Sequence, residues 1–176
     1  PNARGDEGPL SERTVYVAIA SYRDYQCRDT VTSIFERAKY PERVRVGVTD
    51  QIVEGEDGPC DAPYRPCKED PEQMLCKYKS QIDVFQVDAP LAIGPVFARH
   101  LGHRMYRGEY FAMQVDSHVR FIRNWETDLI SQWESAKNEM GIITTYLSDL
   151  TDSIDPVTFE NRHPNRPIMC ATDYEG

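Results

Sequence analysis

Thr14-Val15-Tyr16-Val17-Ala18-Ile19-Ala20 is a near-continuous apolar, β-branched run, the pattern of a strand buried on both faces of a parallel sheet. After it, Val31, Ile34, Phe35 and Ala38 recur at helical spacing and Pro41 marks the stop. Val44-Arg45-Val46-Gly47-Val48 reads as a second strand and Ile82 to Val87 as a third. Gly94-Pro95 opens a helix, with proline at a tolerated first-turn position; Phe97, Leu101 and Met105 predict its buried stripe. Tyr110 to Val115 is a fourth strand running into Asp116-Ser117-His118. Asn124 is placed to cap the next helix, with Glu126 and Asp128 in a first turn whose dipole favours them, and Leu129, Ile130 and Trp133 facing inward. Ile142-Ile143-Thr144-Thr145-Tyr146 predicts a fifth strand. The order β-α-β-loop-β-α-β-α-β predicts one α/β domain over 14–146, a mainly parallel sheet with helices on both faces. Ligands of such sheets bind beyond the carboxyl ends of the strands.

Outside that domain, residues 1–13 are polar and Gly/Pro-bearing and read as a loose leader. Residues 147–176 carry Pro156, Pro164 and Pro167 and read as an irregular, turn-rich segment awaiting a partner. The chain starts at Pro1 rather than Met, which reads as an excised piece. Inside the domain, residues 54–79 hold four prolines and three cysteines with no sustained period. A loop of that length in a compact domain is functional or cross-linked.

The five cysteines are Cys27, Cys60, Cys67, Cys76 and Cys170. No C-x-x-C pair with nearby histidines supports a zinc site. Two disulfides and one thiol are expected, with Cys27, on the apolar face of the first helix, as the buried free thiol. That points to the secretory pathway, although no N-x-[ST] acceptor site supports it. No apolar run is long enough to span a bilayer.

Acidic residues exceed basic ones by 29 to 20, for a net charge of −9. This argues against holding a nucleic-acid backbone, whose affinity rests on Lys and Arg. A single nucleotide needs only one basic group or a metal. The sequence has no G-x-x-x-x-G-K-[ST], G-x-G-x-x-G or G-x-S-x-G, which speaks against P-loop NTPases, typical dinucleotide binders and α/β-hydrolases.

Asp116-x-His118 directly follows an apolar strand. A carboxylate and an imidazole two residues apart project to one side of an extended turn, and together suit Mn²⁺ or a similar metal that also holds a diphosphate. The tripeptide is short and arises by chance in many proteins; its place at a strand's carboxyl end is what raises it. Ser21-Tyr22-Arg23-Asp24 ends the first strand. Tyr22 can stack on a base, and Arg23 can meet a phosphate or pair with Asp24; a plain capping turn reads the same. Asp50-Gln51 ends the second strand, where Gln51 can read a base edge or simply make a turn. Arg99 lies one turn into the helix after Gly94-Pro95, within reach of a phosphate at the sheet edge, while His100, His103, Arg104 and Arg107 form a solvated basic face.

Ala20-Ser21-Tyr22-Arg23-Asp24, Ala38-Lys39-Tyr40-Pro41-Glu42-Arg43, Val46-Gly47-Val48, Gly94-Pro95 with Ala98-Arg99, Tyr106-Arg107-Gly108-Glu109, Gln114-Val115-Asp116-Ser117-His118, Phe121, Asn124-Trp125 and Ile143-Thr144-Thr145-Tyr146 follow one another in order. As a set they resemble the Skp1-hydroxyproline-type polypeptide α-N-acetylglucosaminyltransferases, over nearly the whole stretch from Val15 to Tyr146. That family is similar to other retaining enzymes of the GT-A fold. The resemblance implies a GT-A-like, Rossmann-type sheet, here cut short after its fifth strand. It also implies UDP-GlcNAc as donor, a divalent metal (Mn²⁺ or Mg²⁺) and a protein hydroxyl as acceptor, on Ser, Thr or hydroxyproline. Carried over, Asp116 and His118 hold the metal and Asp116 also touches the donor ribose or sugar. Ser21, Tyr22, Arg23 and Asp24 line the nucleoside pocket, and Arg99 lies near the donor; Gln51, from its strand-end position, is added to the nucleotide-sugar-binding set. Members of the family continue into a second half that shapes the acceptor site, and this chain stops at Gly176. The expectation is a donor-binding half, in the Golgi lumen (with the cytoplasm as the alternative), with no nucleic-acid partner and no membrane contact. The competing readings are a non-catalytic nucleotide-sugar-binding module of the same fold and another metal-dependent nucleotide-diphosphate enzyme.

Overall fold

A computed structural model describes residues 13–145, 147 and 153–162. Four strands form one sheet: β1 (Val15–Tyr22), β2 (Val44–Ile52), β3 (Ile82–Asp88) and β4 (Phe111–Asp116). Their order is β3-β2-β1-β4, and every pair is parallel. The helices are α1 (Cys27–Arg37), the single-turn α2 (Met74–Lys77), α3 (Pro95–His103) and α4 (Trp125–Ser135).

Alternation along β1 divides the core. Val15, Val17 and Ile19, with Val44, Val46 and Val48 of β2, pack into one cluster with Val31, Ile34 and Phe35 of α1, with Phe121 before α4 and with Trp125 and Ile130 of α4. Each fully buried side chain of this kind contributes about 1.5–3 kcal/mol. Tyr16, Ala18 and Thr49 face α3 on the other side. Helices therefore cover both faces, as the near-continuous apolar run of β1 implies.

The fit of α3 differs from the expected Phe97–Leu101–Met105 stripe. Its buried residues are Ala98 and Gly102, and Tyr16 donates to the Gly102 carbonyl at 2.6 Å. A Cβ on Gly102 would lie 3.6 Å from Thr49 Oγ1 and 3.8 Å from Ala18 Cβ, so small residues let the helix backbone approach the sheet. The bulky stripe is displaced outward: Phe97 and Leu101 line a groove of about 680 Å³ with Phe85, Leu91 and Ile93. Gly47 serves the same face, because a Cβ there would fall 2.0 Å from the Tyr16 hydroxyl.

Asn124 stands at the N-cap of α4 but makes no side-chain cap bond. Its backbone is left-handed at φ 59, which Asn tolerates better than most residues, and its N–H donates to the Arg37 carbonyl at 2.7 Å. The expected fifth strand is not formed: residues 142–145 carry no regular structure and Ile142 is 92 % exposed. A strand needs a neighbour's ladder, and among the described residues nothing pairs with the outer edge of β4. Residues 153–162 form a turn closed by an Ile154–Asn161 bridge; Phe159 lies under the Arg37 guanidinium, 4.3 Å from it. Residues 1–12 of the leader, Tyr146, and residues 163–176 with Cys170 lie outside the described residues. Among the described residues no helix is long and apolar enough to cross a membrane.

Two disulfides are present, Cys27–Cys60 and Cys67–Cys76. Cys27 is therefore not the free thiol that its apolar helical face suggested; the insertion folds back over α1 and brings Cys60 to it. Thiol titration of the unreduced, denatured chain is expected to find one reactive group among the five cysteines, and five would contradict both bridges.

Glu126 is 1 % exposed. Its carboxylate accepts the N–H groups of Lys39 (3.1 Å) and Tyr40 (2.9 Å) and lies 3.5 Å from Arg43 Nη2. Removing one partner of a buried pair strands the other charge. Glu126→Ala is expected to lower unfolding free energy by about 3–5 kcal/mol, measured by urea titration; a loss below about 1 kcal/mol would show the pair to be dispensable.

Candidate functional site

The chain goes β1, β2, β3 in one direction across the sheet and then returns to place β4 on the far side of β1. Such a reversal opens a crevice beyond the carboxyl ends of the two strands. Ala20 of β1 stands opposite Asp116 of β4, so the chain leaves both strands side by side. The turns that follow, residues 23–26 and 117–118, meet in that crevice.

Asp24 is the junction. Its Oδ1 accepts the N–H of Gln26 at 2.9 Å, and its Oδ2 accepts the Ser117 hydroxyl at 2.7 Å and contacts His118 Nδ1 at 2.9 Å. Burial alone pushes this carboxyl up. The bonds from Ser117, His118 and the Gln26 amide outweigh that and hold it below the ordinary carboxylate range. An ionised carboxylate only accepts, so the hydrogen between Asp24 and His118 sits on Nδ1. In the neutral imidazole Nε2 then keeps its lone pair, on a side chain that is 59 % exposed. Thr30, buried in α1, donates to the Ser117 carbonyl at 2.6 Å and fixes the turn from below.

Beside it, Asp116 Oδ1 accepts from Arg99 Nη2 at 3.1 Å. Both groups are partly solvated, at 59 % and 37 % exposure. The end of the sheet where β1 and β4 release the chain thus carries two contacts, Asp24–His118 and Arg99–Asp116. The other residues singled out in the sequence are placed differently. Ser21 is fully buried, and the Gln51 amide, also buried, donates to the Ser21 carbonyl at 3.0 Å. Tyr22 is exposed on the turn, as is Tyr25. Arg23 is drawn away from Asp24 to Asp57 (2.8 Å) and Glu56 (2.9 Å). His100 and His103 are exposed on α3.

Two features had no signal in the sequence. The bonding of Asp24 to residues 93 and 94 positions away follows from the register of β1 and β4, which spacing does not encode. Asp50, 1 % exposed, accepts the N–H of Cys60 at 2.9 Å through Oδ2.

The exposed groups at this end of the sheet that could hold a divalent cation are Asp116 and His118. Asp116 offers carboxylate oxygens, and His118 offers Nε2 with its other nitrogen fixed by a carboxylate, the arrangement in which a second carboxylate orients a metal-binding imidazole. No group of three or more His, Cys, Asp or Glu capable of holding a metal occurs among the described residues. Two protein donors suffice where substrate phosphate oxygens and water complete the shell.

The family model described as Glycosyltransferase (GlcNAc) matches residues 14–69 and 64–175. No curated protein matches the chain. Among solved structures, the crystal structure of S. aureus TarS 1-349 is similar at a TM-score of 0.45 and 17 % identity, over 70 % of this chain and 32 % of that one. The chain therefore spans about a third of that relative's length.

Burial pushes the Asp50 carboxyl above its ordinary value, against the opposing pull of the Cys60 N–H. The folded state thus binds this proton more tightly than the unfolded chain does. The resulting stabilisation is complete below the unfolded carboxyl's range and is lost as pH rises through the folded value. Asp50→Asn removes that titration. Its stability relative to the parent is expected to improve as pH is raised from about 4 towards 8, measured by paired urea titrations. A difference that stays flat with pH would contradict the direction of the shift.

Proposed function

Because this chain belongs to the glycosyltransferase (GlcNAc) family, on a match spanning most of its length, we propose that it is the donor-binding part of a metal-dependent enzyme. In this reading the enzyme transfers GlcNAc from UDP-GlcNAc to a hydroxyl of a protein, on Ser, Thr or hydroxyproline, with retention at the anomeric carbon. The observation that carries the proposal is the Asp24-held His118 beside Asp116, at the crevice where the strand order reverses.

The roles follow from the chemistry. Asp116 and His118 Nε2 hold the cation, and Asp24 keeps the imidazole in the tautomer that frees Nε2. A divalent cation bound there supplies positive charge to the diphosphate as the sugar bond breaks. Arg99, paired with Asp116, is placed to turn to a phosphate when Asp116 engages a cation. Tyr22 offers an exposed aromatic face for a base. Ser21 and Gln51, buried beneath, support the pocket floor rather than contact the nucleoside. Two disulfides favour an oxidising compartment, and the Golgi lumen is the proposed location.

The test is thermal stabilisation. UDP with Mn²⁺ is expected to raise the melting temperature by more than the sum of either alone, since a ligand that binds only the folded state stabilises it by mass action. Asp116→Ala and His118→Ala are expected to abolish the Mn²⁺-dependent part, and Asp24→Ala to weaken Mn²⁺ affinity by about 10–100-fold. No stabilisation by any nucleotide, or full retention in Asp116→Ala, would overturn the assignment. Hydrolysis of UDP-GlcNAc then separates an enzyme from a module that only binds the nucleotide sugar.

A further inference from the structure

The residues between β2 and β3 contribute no strand, yet they grip one short stretch of the crevice, residues 23–29, at three points. The first is a fork. Arg23 Nε donates to Asp57 Oδ2 at 2.8 Å and Nη2 donates to Glu56 Oε2 at 2.9 Å. Asp57 Oδ2 also accepts the Val53 N–H at 2.9 Å, which ties the fork to the end of β2. The second is covalent: Cys27, the first residue of α1, is bridged to Cys60, whose own N–H is held by buried Asp50. The third is Tyr64, whose hydroxyl donates to Asp29 while the Arg28 guanidinium lies 4.2 Å over its ring.

Asp24 lies inside the gripped stretch, between the fork and the disulfide. On its other side the turn after β4 is fastened to the same helix start. Arg120 Nη2 donates to Asp29 at 2.5 Å, and Thr30 donates to the Ser117 carbonyl. Residues 23–29 are thus fixed between the insertion and residues 117–120.

Stability alone is a poor account of the fork. Arg23 is 40 % exposed on its side chain, and solvent-screened ion pairs of that kind add little to folding. Arg23 also sits at φ 49, a left-handed conformation that is unfavourable for an ordinary side chain. What that conformation and the fork share is control over where the next residue points. Asp24 Oδ2 serves two donors at once, at 2.7 and 2.9 Å, and a displacement of about 1 Å ends a hydrogen bond.

We propose that residues 53–79 act as a positioning element for the Asp24–His118 contact. The Arg23–Asp57/Glu56 fork and the Cys27–Cys60 bridge set the β1–α1 turn at the place where Asp24 holds the hydrogen on His118 Nδ1. The consequence for donor binding rests on the function proposed above; the positioning itself does not. Arg23 and Cys60 act through Asp24 and touch no substrate in this scheme.

The experiment reads the imidazole directly. The metal-free chain, labelled with ¹⁵N, is examined by two-bond ¹H–¹⁵N correlation at mildly alkaline pH. Wild-type His118 is expected as the Nδ1–H tautomer, opposite to the preference of a free side chain. Arg23→Ala, Asp57→Ala and the Cys27→Ser/Cys60→Ser pair are each expected to shift His118 towards Nε2–H. His100 and His103 are expected to keep their signals, and Arg23→Lys to retain more of the wild-type tautomer than Arg23→Ala. If Arg23→Ala does not fold, Asp57→Asn, which keeps an acceptor for Val53, is read in its place. Retention of Nδ1–H in folded fork and disulfide variants, or its absence from the wild type, would overturn the proposal. UDP and Mn²⁺ titrations on the same samples keep the two readings apart. Failure to bind with an intact His118 tautomer counts against the donor site and leaves the positioning standing.

Discussion

A parallel strand sealed on both faces must find partners for its backbone on both edges, because water reaches neither. In β1 those partners are β2 along residues 15–22 and β4 along residues 15–20. Since β2 and β4 lie on opposite edges, the connection after β1 and the connection after β4 emerge next to each other at one end of the sheet. The crevice is therefore a by-product of how the central strand satisfies its hydrogen bonds. Its chemistry comes from what the two emerging turns happen to carry: Asp24 on one, and Ser117 and His118 on the other, with Asp116 as the last residue of β4.

Those turns are short and polar, and a backbone without a ladder needs other partners. α1 provides them. Residues 117–126 run along this helix and are fastened at successive turns: the Ser117 carbonyl to Thr30, the Phe121 N–H to Ser33, the Trp125 indole to the Ile34 carbonyl, and the Phe121 carbonyl to Arg37. Beyond the helix end, Glu126 takes the N–H groups of Lys39 and Tyr40. Ring contacts add to this, with Phe121 and Trp125 centroids 4.6 Å apart. A segment with no periodicity of its own is thus as firmly placed as a strand. The His118 imidazole is held on one side by Asp24 and is otherwise largely exposed.

What could be seen in advance follows the same division. β1 and β2 were legible because burial on two faces demands apolar, β-branched residues, and Val15 to Ile19 or Val44 to Val48 meet that demand regardless of distant context; β3 and β4, only partly buried, carry a weaker form of the same pattern. The start of α3 was legible from Gly94-Pro95 for a local reason too. Its facing was not: large residues at Phe97 and Leu101 suggested a buried stripe, whereas the sheet required the small Ala98 and Gly102 for close approach. Ile142 to Thr145 have strand composition, but composition cannot supply the neighbouring ladder. Cys27 looked like a core thiol because its helical face is apolar, and only the path of the insertion brings Cys60 to it. In the crevice, Asp116 and His118 were visible as a strand-end pair and Asp24 as one residue of a turn. That Asp24 serves His118 rather than Arg23 depends on register across the sheet and on Asp57 and Glu56 taking Arg23 away.

The two contacts at the crevice differ in how readily they can change. Asp24 is mostly enclosed, its side chain 16 % exposed, and three donors converge on it, so releasing His118 would leave a shielded carboxylate short of a partner. The Arg99–Asp116 pair is exposed on both sides and held by one contact; pairs of that kind contribute about 0–1 kcal/mol. On the reading of a donor site, the asymmetry is useful. The imidazole that must present Nε2 is fixed before any ligand arrives, while the carboxylate and the guanidinium can exchange each other for a cation and a phosphate at little cost. An acidic chain also gains from this order of events. With 29 carboxylate residues against 20 basic ones, an approaching diphosphate meets repulsion on average. Arg99 and a bound cation would provide a local reversal of that field where the strands end.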